Sequence, residues 1–264
     1  MIPSLPDRFR LGRLTTEEIA ALDGKKTLVV LPIGAVEQHG PHLPVLTDAL
    51  VAEALLARAL ERRPDDGRVW ALPTQAYGKS NEHAGFAGVF ALSARTLAAT
   101  LLEIAEGVAA SGLRRLMFLN GHGGNTDVLD YVARDARAAH GIVCVSAHPF
   151  RFGLAAGVIS DAEGGFGIHA GEAETSTLLA LAPELVHPDR FAPDLPAVRS
   201  SLRRLSLKGA ASFGWLTRDL SASGTIGDPR AASAEKGEAI LDAEADLVVE
   251  LIEEALALPL PEAR

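Results

Sequence analysis

The chain has 264 residues, of which 48% are hydrophobic and 22% charged, with a formal net charge of −9 at pH 7. That size and apolar content suit one large α/β domain or two small ones, and the acidic balance argues against nucleic-acid or anionic-membrane binding, which needs a basic face. The lone cysteine, Cys144, excludes an intramolecular disulfide framework and fits a reducing cytosol, and no stretch reaches the ~20 consecutive apolar residues of a bilayer span.

The first residues, Met1 to Arg8, lack the charged-then-apolar layout of a signal peptide, so a cytoplasmic protein is expected. Thr15-Thr16-Glu17-Glu18 is a capping-box pattern that predicts a short first helix. Leu28 to Ile33 is an apolar, β-branched run that reads as a buried strand of a parallel sheet. It meets Gly34 and then a loop carrying Glu37, His39, His42 and Asp48, kept out of helix by Gly40, Pro41 and Pro44. Glu37 and His39 alternate, so in extended backbone they project to one side. Oxygen and nitrogen donors on one side, with Asp48 soon after, suit Zn²⁺, Mn²⁺ or Fe²⁺. Asp48 also opens a long amphipathic helix to Arg63, so its spacing fits an N-cap as well as a ligand.

Val69 to Pro73 reads as a second strand, followed by a glycine-rich loop with the acid–imidazole pair Glu82-His83. A helix capped by Ser93 runs to Ala110 and is closed by Gly112. A third strand, Arg115 to Leu119, leads straight into Asn120-Gly121-His122-Gly123-Gly124-Asn125, and Asp127 to Ala139 reads as helix. Strand, glycine-rich turn and helix invite a phosphate-cradle reading, but the P-loop Lys-Ser/Thr is missing. Ile142 to Ser146 is a fourth strand, and Cys144 inside it reads as a buried structural thiol. Phe150 to Gly167, rich in glycine and phenylalanine, reads as a loop able to line or cover a pocket. His169, Glu172 and Glu174 then open an apolar helix that stops near Pro183, an arrangement costly to bury unless a cation or donors compensate. Pro188 to Arg204 reads as surface excursion, Gly224 to Arg230 as turns, and Ala232 to Leu258 as a final amphipathic helix. With no internal repeat and no linker, residues 1–264 are expected to form one domain.

The strand ends of a parallel sheet share one edge, so these groups can converge there. Two acid–imidazole sets sharing one aspartate would support a two-metal site, which activates water and polarises a carbonyl oxygen. The expected reaction is hydrolysis of an amide or related C–N bond, with His or Glu moving the proton to the leaving nitrogen. A phosphate-binding module is the competing class, but it leaves Glu37, Asp48, Glu172 and Glu174 unexplained, since carboxylates repel a phosphate unless metal intervenes.

Gly34 to Pro44, Asn120 to Asn125 and His169 to Ser176 resemble the three signatures of the creatininase (creatinine amidohydrolase) family, with related sequence at Glu82-His83, Phe86, Gly88 and Gly224 to Pro229. The resemblance covers nearly the whole chain. It implies an α/β fold, a three-layer α/β/α domain with a mainly parallel central sheet. It also implies a site for two divalent metal ions (Zn, Mn or Fe), a small-molecule amide substrate, and a homo-oligomer, often a hexamer. By the same resemblance Glu37, Asp48 and His122 would hold one metal, and His39 with the bridging Asp48 the second. Creatininases carry a liganding Glu two residues after the histidine of the Asn-Gly-His motif, where this chain has Gly124. The His169 motif is then expected to supply the missing carboxylate, by Glu174, with Glu172 as the alternative ligand or acid–base group. His169 matches the family's proton-shuttling histidine. The tryptophans that enclose creatinine have no match here, which points away from creatinine itself. Relatives with the Gly-Gly form include formamide hydrolases and a peptidase of redox-cofactor maturation, so a metallopeptidase is the alternative.

Overall fold

The computed structural model describes residues 5–160 and 167–261. Among them, β1 (Leu28–Ile33), β2 (Val69–Ala71), β3 (Arg115–Asn120) and β4 (Val143–Ala147) form an all-parallel sheet in the order β2-β1-β3-β4. The helices are α1 (Thr16–Ala21), α2 (Thr47–Arg62), α3 (Ala94–Ala110), α4 (Thr126–His140), α5 (Glu172–Leu181), α6 (Thr217–Leu220) and α7 (Ala234–Ala257).

β1 and β3 are buried along their whole length because helices cover both faces of the sheet. Val29, Leu31, Ile33, Leu116 and Phe118 pack against Leu97 and Leu101 of α3 and Leu129 and Val132 of α4. Leu28, Val30, Met117 and Leu119 face the other way, onto Leu56 and Leu60 of α2 and Val248 and Ile252 of α7. The result is three layers, α/β/α, as the unbroken apolar strand runs require. α5 lies outside this sandwich, joined to α2 and α7 through Leu178, Leu181, Ala54 and Leu241. Cys144 sits half-buried beside the α3/α4 core, and burial pushes its thiol up to about 12, which suits a structural role.

Local signals set the helix starts. Glu18 N–H donates to Thr15 Oγ1 (3.3 Å) and Thr15 N–H to Glu18 Oε2 (2.7 Å), which completes the capping box. Ser93 and Ser233 accept from the third helical N–H of α3 and α7. β2 ends at Ala71, short of the expected Pro73; Leu72 N–H still reaches Val30 O (2.9 Å), but a proline cannot extend a ladder. No helix among the described residues is long and apolar enough to cross a membrane.

Arg115, the buried first residue of β3, ties the sheet to the end of α7. Its guanidinium donates to Ala255 O (2.9 Å) and Leu258 O (2.8 Å), carbonyls that the helix leaves unpaired, and to Lys25 O (3.0 Å). Arg115→Leu is expected to lower stability by about 2–3 kcal/mol through those orphaned carbonyls. A chemical-denaturation midpoint checks this, and an unchanged midpoint contradicts it.

Candidate metal centre

The strand register builds the site. Ile33 pairs with Asn120, so β1 and β3 end level and release their loops side by side at one edge of the sheet. The first turn of α2 wedges between those loops because glycines give it room. A Cβ on Gly34 would stand 2.4 Å from Ala49 N, and one on Gly121 would stand 2.7 Å from Asp48 O. The two asparagines of Asn-Gly-His-Gly-Gly-Asn act as braces. Asn120 Oδ1 accepts from His122 N–H (3.1 Å) and Asn120 Nδ2 donates to His122 O (2.8 Å). Asn125 donates to Gly34 O (2.9 Å) and accepts from Lys79 N–H (2.8 Å), so three loops are locked together.

On this frame Glu37, His39, Asp48, His122 and Glu174 converge. His39 Nε2 lies 3.0 Å from Asp48 Oδ1 and 4.0 Å from Glu174 Oε2, while His122 Nδ1 lies 3.0 Å from Asp48 Oδ2. His122 Nε2 is 3.3 Å from Glu37 Oε2, and His169 Nδ1 is 3.6 Å from Glu37 Oε1. Three overlapping sets have donor atoms all within 4.8 Å of one another: Glu37/Asp48/His122, His39/Asp48/Glu174 and Glu37/His39/His169. Asp48 is shared by the first two. Its carboxylate does not cap α2, whose N-cap is Leu46; it turns to the imidazoles instead, with the positive end of the helix behind it.

Glu172 and Glu174, near-equivalent in sequence, are separated by helical geometry. They occupy the first turn of α5, and residues two apart on a helix point roughly 200° apart. Glu174 faces the cluster and accepts from Ala170 N–H at 2.6 Å. Glu172 faces away. It is buried against the Lys236 ammonium (2.6 Å), the Ser160 N–H (3.1 Å) and the Ser160 hydroxyl, outside every donor set above. The structure therefore brings His169 to the cluster and leaves Glu172 out of it. His169 is fixed by a backbone bridge to Ile226, and Ala170 beside it adopts φ 51°, a left-handed conformation unusual for a residue other than glycine.

Sequence reasoning did not single out Gln38, and it flagged His83 only as half of an unassigned pair. Gln38 Nε2 lies 2.7 Å from His83 Nδ1 and 3.0 Å from His169 Nε2, and donates to Gly224 O at 3.0 Å. His83 Nε2 stands 3.1 Å from Glu37 Oε1, and its Nδ1 lies 2.9 Å from the Thr217 hydroxyl. Only the loop fold places these residues, and no spacing in the sequence marks them. Of the expected covering loop, Phe150 and Phe152 lie exposed on a short 3-10 turn, while Gly164, Gly165 and Phe166 lie outside the described residues.

The electrostatics of the cluster call for a cation. Glu37 is fully buried, yet neither of its oxygens, nor Asp48 Oδ2, takes part in a hydrogen bond, because the neighbouring imidazoles approach at poor angles. Burial alone would push His39 and His122 down. The carboxylates outweigh it, Asp48 chiefly for His39 and Glu37 chiefly for His122, and hold them up at about 10 and about 9. Burial, with His39 and His83 alongside, keeps His169 well below its ordinary value and so neutral. Protons on His39 and His122 thus offset charge that metal ions would offset better. This oxygen and nitrogen donor set fits Zn²⁺, Mn²⁺ or Fe²⁺.

The creatininase family model, described as creatinine amidohydrolase, matches residues 12–252. A mycofactocin precursor peptide peptidase of Mycobacterium ulcerans is 37% identical over 241 residues, covering 87% of this chain and 86% of the relative. A creatinine amidohydrolase of Pseudomonas putida is 32% identical over 249 residues, covering 88% and 91%. The structure of a mutant creatininase of the Zn-Zn type superposes with a TM-score of 0.75 at 30% identity, covering 95% of this chain and 99% of that one.

At pH 7 His39 and His122 carry protons that an incoming metal must displace. Zn²⁺ binding is therefore expected to release about two protons per chain and to tighten as pH rises towards 9. Calorimetry in buffers of different ionisation enthalpy checks this; binding indifferent to buffer and pH contradicts it.

Proposed function

The chain belongs to the creatininase family, and from that premise we propose that it hydrolyses the C–N bond of a small amide, cyclic or formamide, at a centre of two divalent metal ions. Its reaction class is that of the family, metal-dependent hydrolysis of C–N bonds. The observation that carries the two-ion reading is Asp48, whose carboxylate belongs at once to a Glu37/His122 set and a His39/Glu174 set, in a place where buried carboxylate oxygens lack hydrogen bonds.

Glu37, Asp48 and His122 would hold one ion, and His39, Asp48 and Glu174 the other. Zinc and manganese are both supported by analogy, with the Zn-Zn creatininase and the Mn creatininase, and the same donors suit iron. When bound, the ions supply an activated water and a Lewis acid for the carbonyl oxygen. The remaining work falls to the protein. His169 is neutral, so it can accept a proton, and its ring sits 4.3 Å from that of His39 with Nδ1 towards Glu37. It is placed to take the proton from the attacking water and pass it to the leaving nitrogen. Gln38 and the Ile226 bridge fix its orientation. Every other group is nearly sealed, while the Glu174 side chain is 38% exposed, so substrate enters on the Glu174 side. Glu172, held by Lys236 and Ser160, serves to position the start of α5 rather than to move protons.

A second reading, a peptidase, draws on the 37% identity to the mycofactocin precursor peptide peptidase. It also draws on exposed apolar side chains, Val45, Leu46, Tyr77 and Phe90, on the loops that carry the site. The same apolar surface would suit a homo-oligomer of this chain. A cytoplasmic location belongs to the proposal as well, consistent with the single half-buried cysteine.

The test is turnover by zinc- or manganese-loaded protein on a panel of cyclic amides, N-formyl compounds and short peptides. Hydrolysis of a non-peptide amide is expected, with His169→Gln lowering kcat by ~10²–10⁴-fold at unchanged metal content. Cleavage of peptides alone selects the second reading. A His169→Gln variant with wild-type kcat removes the assigned proton carrier.

A further inference from the structure

Glu82 stands beside the metal centre without belonging to any of its donor sets. Its Oε1 lies 3.7 Å from His122 Nε2, the same nitrogen that lies 3.3 Å from Glu37 Oε2. Its side chain is only 14% exposed, and its Oε2 receives the Lys79 ammonium at 2.7 Å. The loop that carries it is anchored at Lys79, whose N–H donates to Asn125 Oδ1 (2.8 Å) and whose carbonyl lies 3.1 Å from His122 Nε2. The position of this carboxylate is therefore set by the anchoring of the 78–83 loop to the turn that presents His122 rather than by free rotation in solvent.

Gly124 gives a second, independent sign. Its φ is not in the left-handed region, so the backbone there does not demand glycine. Space does. A Cβ at 124 would lie 2.1 Å from Glu82 Oε1 and 2.5 Å from both His122 Nε2 and Lys79 O. The absence of a side chain at 124 is what lets the Glu82 carboxylate reach His122.

Glu37, Asp48 and Glu82 thus all approach the one His122 ring, with the Lys79 ammonium on the other oxygen of Glu82. A cation beside that ring would meet all three carboxylates. Donor atoms around a tetrahedral zinc with bonds of ~2.1 Å stand about 3.4 Å apart, close to the 3.3 and 3.7 Å that separate Glu37 and Glu82 from His122 Nε2; that nitrogen would give up its contact with Lys79 O on binding the ion, while Asp48 lies on the Nδ1 side of the ring. We propose that Glu82 is a further ligand of the metal ion held by Glu37, Asp48 and His122, delivered from the 78–83 loop into the space left open at Gly124. The inference rests on the two-metal reading above.

Co²⁺ is the probe, because its visible absorption reports the ligand set as well as occupancy. The metal-free full chain, as wild type, Glu82→Gln and Glu82→Ala, is titrated with Co²⁺ against a competing chelator, with circular dichroism confirming the fold. If Glu82 is a ligand, one of the two Co²⁺ equivalents binds at least about 100-fold more weakly in each folded variant, and the absorption of the saturated protein changes. Wild-type affinities in the variants overturn the assignment. So does weaker binding with an unchanged saturated spectrum, which would mean that Glu82 contributes charge alone. A wild-type protein that takes up no Co²⁺ overturns the two-metal reading itself, an outcome distinct from either.

Discussion

The structure depends on one unfavourable burial. Glu37 is 0% exposed, both its oxygens lack hydrogen bonds, and His83, His122 and His169 surround it. A carboxylate in that state costs several kcal/mol unless positive charge stands close by. Without metal the charge comes from protons on His39 and His122, shared with Asp48. Two imidazoles held protonated far above their ordinary range mark a place built for cations. The same excess of acid rules against an anion cradle in the glycine-rich turn at His122, since a phosphate there would meet Asp48 and Glu37 at once.

What holds this arrangement is the scaffold around it. Level ends of β1 and β3, small residues where α2 presses in, and the Asn120 and Asn125 braces fix the Glu37, Asp48 and His122 groups before any ligand arrives. Such preorganisation is what a hydrolytic centre needs, because positioning done by the fold is not repeated at each turnover. Among the described residues, the one non-glycine with a positive φ falls where function would place it. Ala170, at φ 51°, lies between His169 and the Glu174 carboxylate that its N–H holds, a conformation that costs about 1–2 kcal/mol for a residue with a Cβ. Strain that directs two neighbouring side chains into one site is a common mark of functional loops.

Much of this was legible in the sequence, and the reasons are specific. The unbroken apolar runs at Leu28 to Ile33 and Leu116 to Leu119 could be buried only in a sheet covered on both faces, and polar groups just past their ends had to share an edge. Capping residues Thr15, Ser93 and Ser233 mark helix starts by local hydrogen bonds, which neighbouring sequence reveals. The creatininase resemblance was carried by the same stretches that the structure brings together. What stayed hidden depends on loops meeting in space. Gln38 lies between two acid–imidazole candidates yet contacts His83, His169 and Gly224, all distant in sequence. The division between Glu172 and Glu174 needed the exact start of α5, since a shift of one residue in helix phase changes which acid faces inward. Glu82 reaches His122 only through the anchored 78–83 loop and the space at Gly124, neither of which a motif records.

The most direct test of the central claim is elemental analysis of protein purified without chelator and incubated with Zn²⁺ or Mn²⁺, together with Glu37→Gln and His122→Ala. The account predicts about two equivalents of metal per wild-type chain, falling in both variants. No stoichiometric metal under either condition would contradict it, and the buried carboxylates would then need an explanation other than a cation.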